Sequence, residues 1–178
     1  MVEGTGSPEE KGSHMTKNSF AVAIGLLWGL YSGLTYSAPP EGFFTPREQK
    51  TFHVIVQGDV TPQQEKNLND AIKEWNQIAG KSFISKNQGE VEIVIQFKEY
   101  FHPDAPNSIG VAWMESEACP INIQHYIRNK NVVMHEIGHC IGFRHDTNPR
   151  SLMYDLAKND QYVTQEMETF VKEAYGSR

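Results

Sequence analysis

The chain has 178 residues, with 16 Lys and Arg against 22 Asp and Glu, a formal charge of -6 and a pI near 5.6. No basic cluster interleaves with aromatic residues, so nucleic acid is not expected as a partner.

Residues 1–15 are rich in Gly, Ser and Glu, end in Gly-Ser-His-Met, and read as an expression tag or linker outside the fold. Residues 20–36, FAVAIGLLWGLYSGLTY, carry no charge, follow Lys17 and lead into Ser37 and Ala38. This layout assigns residues 16–38 as a secretory signal peptide, and hence a secreted, periplasmic or extracellular destination. A membrane anchor is the competing reading, since a span needs about 20 apolar residues. Three glycines, the small-residue exit and Pro39-Pro40 favour the signal peptide, and a membrane is a partner only if the leader stays uncleaved. Residues 39–178, about 140 in number, suffice for one compact domain and one core, expected as a monomer.

Phe52, Val54 and Val56 alternate with His53 and Ile55, predicting a short strand that ends at Gly58 and Asp59. A helix follows. Thr61 is placed to cap it, Pro62 suits the first helical position and Gln64 completes a capping box. Leu68, Ala71, Ile72, Trp75, Ile78 and Ala79 recur at helical spacing until Gly80. Val91, Ile93, Ile95 and Phe97 alternate with polar neighbours as the clearest strand. Residues 98–108 form a loop broken by Pro103 and Pro106, and residues 109–114 and 121–124 read as two short strands. Asn129 or Asn131 caps a helix running to about Ile141, an irregular stretch follows, and Thr164 starts a last helix that ends before Gly176. The order predicts an α+β domain, a small twisted mixed sheet packed on a long helix and a second helix, with a C-terminal helix.

Residues 135–146 read HEIGHCIGFRHD. On a helix, His135 and His139 share a face and can grip one ion, and zinc suits imidazole nitrogen at a hydrolytic site. Glu136 is rotated about 100° from His135, beside the ion and off it, where it can act as a general base. Gly142 can take a positive φ and turn the chain so that His145 returns as third ligand. Three neutral histidines leave the full dication charge to acidify water. His53, His102 and His125 lack a shared spacing and are expected to be ordinary polar residues. Cys119 and Cys140 suggest one disulfide in an exported chain, with two separate buried small side chains as the alternative.

HExxHxxGxxHD followed by Ser151, Leu152, Met153 and Tyr154 resembles the metzincin zinc metallopeptidases, with Met153 as the Met-turn residue beneath the metal. Within them the order of elements over roughly residues 50–176 is most similar to a minimal matrixin catalytic domain. The resemblance implies a zinc-dependent endopeptidase acting on extended polypeptides, with residues 109–114 as the edge strand that pairs with substrate. Ile109, Gly110, Val111, Ala112 and Trp113 are therefore candidate substrate contacts, and Tyr154 a pocket wall. A protein inhibitor is a candidate partner. An inactive or membrane-tethered zinc-binding relative is the alternative, disfavoured on the inactive side by the retained Glu136.

Several features depart from the family. The 98–108 loop, with only His102 and Asp104 as candidate ligands, is too short for the second zinc and the calcium of matrixins, so one zinc and no calcium are expected. No cysteine precedes Cys119, so latency through a zinc-blocking cysteine is not expected. Asp146 stands where matrixins commonly carry Ser, and Asp155 stands where astacins and serralysins carry a metal-binding Tyr.

Overall fold

The structure, a computed structural model, describes residues 40–99, 108–114, 117–156 and 158–176. The expected tag and signal peptide, together with His102 and Asp104, lie outside the described residues.

Among the described residues five strands form one mixed sheet: β1 (Phe52–Gln57), β2 (Ile84–Ser85), β3 (Val91–Lys98), β4 (Gly110–Ala112) and β5 (Cys119–Gln124). Their spatial order is β2-β1-β3-β5-β4. β1 pairs in parallel with both β2 and β3, β3 pairs in parallel with β5, and β4 runs antiparallel to β5. Parallel neighbours need a long crossover, and helix α1 (Pro62–Ala79) supplies it between β1 and β3. Alternation settles which face turns inward. Phe52, Val54, Val91, Ile93, Ile95, Cys119, Ile121 and Ile123 are buried, while the residues between them are not.

The punctuation of α1 follows the sequence pattern. Thr61 is extended, its hydroxyl accepts from the Gln64 amide at 3.3 Å, and the Gln64 side chain accepts from the Thr61 amide at 2.8 Å. Gly80 ends the helix in the left-handed region at φ 72°. Trp75, fully buried, faces helix α2 (Lys130–Cys140), donates from Nε1 to the Met134 carbonyl at 3.2 Å and stacks on Phe143 at 5.9 Å. This contact ties the long helix to the one that carries the histidine pair.

Helix α3 (Gln165–Tyr175) is capped by Thr164, and Gly176 follows it in an extended conformation at φ -68°, with no left-handed turn. Its Met167, Val171 and Tyr175 are buried. Three local readings differ from the pattern, the first being β5, which begins at Cys119, two residues before the stretch expected over 121–124. β2 spans two residues, too few to show a period, and β4 covers only residues 110–112 of the stretch expected over 109–114.

Candidate metal and catalytic site

Helix α2 begins at Asn129, whose side chain accepts from the Asn131 amide at 2.9 Å. It carries His135 and His139 one turn apart, with ring centroids 4.7 Å from each other. The helix stops at Ile141, and Gly142 turns the chain at φ 115°. A Cβ on Gly142 would also lie 2.2 Å from the Thr45 carbonyl oxygen, so the position demands glycine for both backbone and space. The turn is then anchored on both sides of His145: Arg144 donates its amide to the Phe43 carbonyl at 2.8 Å, and Asp146 donates its amide to the Met153 carbonyl at 2.8 Å. The His145 ring is thereby brought 4.9 Å from His139 and 5.4 Å from His135.

One nitrogen from each of these three histidines lies within 4.8 Å of the others, which is compatible with a single shared ion. The tautomers fit that use. His135 Nδ1 lies 2.7 Å from the Leu152 carbonyl and His139 Nδ1 lies 2.8 Å from the Phe143 carbonyl, so each Nδ1 carries the proton and donates it. Both Nε2 atoms are then left as lone-pair acceptors, yet they face each other at 3.1 Å. Two acceptors at that distance repel unless a proton or a metal ion lies between them, and ligands about 2.0–2.1 Å from a tetrahedral zinc would be spaced about 3.3 Å apart, close to the distance seen. Burial, with smaller contributions from the neighbouring histidines, pushes His135 down to about 4 and His139 down to about 3, which keeps both rings neutral near pH 7.

Glu136 is 4% exposed, and burial pushes its carboxyl up to about 8. A carboxylate in so dry a place needs a positive neighbour, and a dication on the three histidines would supply one. Below the histidine pair, Met153 is fully buried with its sulfur under Gly138, where an added Cβ would come within 2.6 Å of Sδ. Met153 is held in its turn by the Ser151 hydroxyl, which accepts from its amide at 3.2 Å.

A cleft of about 780 Å³ opens over these groups. Ile109, Gly110, Val111, Ala112 and Tyr154 line it together with His135, Glu136, His139 and His145, but Met114 takes the place expected for Trp113. Sequence reasoning assigned no site role to Ser108, Asn131, Val132, Arg144, Asp155, Leu156 or Gln161, which also line the cleft. Helical spacing could have found Asn131 and Val132, one turn before His135. Gln161 could not have been found that way. It lines the cleft through a fold-back in which its side chain donates to the Leu156 carbonyl at 2.7 Å and accepts from the Lys158 amide at 2.9 Å. His53, near the Lys86 carbonyl at 3.2 Å, and His125, against Tyr126, stand apart from the cluster.

Cys119 and Cys140 are joined by a disulfide with Cα atoms 5.7 Å apart, linking the start of β5 to the residue after His139. Among the described residues, no helix is long and apolar enough to cross a membrane.

Residues 112–175 match the matrixin family (peptidase M10). The chain is 26% identical over 145 residues to stromelysin-1 of Equus caballus, an alignment covering 66% of this chain and 30% of that protein. It is 27% identical over 111 residues to human matrix metalloproteinase-20, covering 53% of this chain and 23% of that protein. With human matrix metalloproteinase-26 the figures are 26% over 115 residues, 54% of this chain and 44% of that protein. The chain thus spans less than half the length of each of these relatives. Family match, mixed sheet and clustered histidines agree, and residues 112–175 of the chain are similar to a matrixin domain.

Proposed function

We propose that this chain is an exported, zinc-dependent endopeptidase in which His135, His139 and His145 hold the ion and Glu136 is the general acid-base. The observation that carries the reading is the pair of lone-pair nitrogens facing each other at 3.1 Å, with a buried carboxyl next along the helix and an open cleft above. A zinc ion held there supplies Lewis acidity to a peptide carbonyl and to water. Glu136 takes the proton from the attacking water as the carbon–oxygen bond forms, and delivers it to the amine as the carbon–nitrogen bond breaks. The Leu152 and Phe143 carbonyls keep the two histidine rings in the tautomer that leaves Nε2 free.

The substrate is an extended polypeptide. β4 is the last strand of the sheet, so its outer edge offers backbone groups to a passing chain, as in strand addition. Selectivity then comes from the walls formed by Val132, Tyr154 and Leu156, the last of which is 61% exposed at the cleft. Cleavage profiling on a peptide library, with and without a chelator, tests the proposal. Cuts that vanish with chelator and return with zinc are expected, and cleavage indifferent to chelator would sink it.

A further inference from the structure

Glu136 has no hydrogen-bond partner among the described residues, although it is almost completely buried. Its position must come from packing, and the glycine opposite it shows what it packs on. A Cβ added to Gly110 would lie 2.1 Å from Glu136 Oε1, 2.7 Å from Cδ and 2.8 Å from Cγ, and these are the three nearest atoms. All three belong to one side chain, so the acid occupies the volume that any other residue at position 110 would need.

The backbone gives no competing reason for glycine there. Gly110 is outside the left-handed region, unlike Gly42, Gly58 and Gly80, around each of which an added Cβ would meet nothing within 4 Å. It pairs with Ile123 in regular antiparallel register, and glycine in a strand commonly marks a close approach.

From this we infer that Gly110 is the seat of the general base: a positioning residue on the edge strand whose missing side chain sets where the Glu136 carboxyl sits. The inference rests on the peptidase reading for its catalytic consequence, while the contact itself does not. β4 and α2 meet at this contact, so the strand that would bind substrate and the acid that would move the proton touch at Gly110. A Cβ would displace the carboxyl by the better part of an ångström, and misplacement on that scale can cost roughly 100-fold in rate.

The test is a pair of cycles. Gly110→Ala should lower kcat by roughly ten- to 100-fold, with KM and zinc content near parental values, because zinc ligation does not involve the seat. Glu136→Asp, whose shorter arm vacates the space, should make Gly110→Ala nearly silent in kcat. In melting experiments, Gly110→Ala should lower Tm in the parent but not in Glu136→Ala, where all three clashing atoms are gone. A Gly110→Ala enzyme with parental kcat, or Tm losses that simply add, overturns the inference. A loss confined to KM overturns it too, since that would mark Gly110 as a substrate contact only. A parent that cleaves nothing refutes the peptidase reading and with it the catalytic role, and the melting cycle then still reports on the contact independently.

Discussion

His139 and Glu136 illustrate two kinds of dependence at a single site. His139→Ala removes one of the two facing nitrogens, and zinc content measured after dialysis is expected to fall from one ion per chain to a small fraction of that. A variant retaining stoichiometric zinc would remove His139 from the ligand set. Glu136→Ala should leave zinc content intact and cut peptide turnover by at least roughly 100-fold, the usual contribution of general acid-base catalysis, and near-parental turnover would reject the assigned base. These residues were legible beforehand because helical spacing alone puts positions 135 and 139 on one face. The groups that orient them were not. Leu152 and Phe143 act through carbonyls, which every residue has and which leave no mark in residue type, and Gly110, visible as a glycine, shows its closeness to Glu136 only in three dimensions.

At the scale of elements, α2 is restrained from three directions. Trp75 of α1 holds its middle, the turn at Gly142 fixes its exit, and the disulfide fastens Cys140 to β5. The two cysteines are 21 residues apart, and chain entropy for a loop of that size predicts roughly 3 kcal/mol of stabilisation. Replacing both by Ala should lower Tm and reduce denaturant resistance accordingly, while mass spectrometry of the unreduced parent should show the loss of two hydrogens. Two alkylatable thiols in freshly exported protein would remove the bridge. α1 and the long strand β3 announced themselves through caps and strict alternation. β2 escaped notice because two residues have no period, and its place is set by pairing beside β1. The wall formed by Leu156 and Gln161 was equally hidden, since the Gln161 side chain bonds back to the Leu156 carbonyl and the Lys158 amide.

For the molecule as a whole, the segment before β1 closes the back of the domain. Phe43 and Phe44 pack on Phe143 and Phe170, Thr45 donates its amide to the Gly142 carbonyl at 2.9 Å, and Arg47 donates from Nε to the Cys140 carbonyl at 2.9 Å and from its guanidinium to the Met114 carbonyl. Tyr175 completes the closure from α3: its hydroxyl accepts from the Arg47 amide at 3.0 Å and donates to the Ile141 carbonyl at 2.7 Å. Burial pushes Tyr175 up to about 12 from its ordinary 10, against a smaller downward pull from the Arg47 amide. A raised folded value means that the folded chain keeps the proton longer, so this stabilisation is complete below pH 10 and is lost as pH rises through 12. Tyr175→Phe should therefore melt lower than the parent at neutral pH and lose less stability on alkaline titration. An unchanged alkaline slope would contradict the assignment.

The anchoring of this segment also sets a limit on how far the chain can be trimmed. Residues 43–47 contact the turn that delivers His145 at three of its positions, so a shortened form beginning at residue 49 would keep every strand and helix of the described residues and still lose the brace behind the histidine cluster. Such a form should purify as a folded protein with weaker zinc retention, and an experimenter choosing a starting residue by secondary structure alone would cut on the wrong side of Phe43.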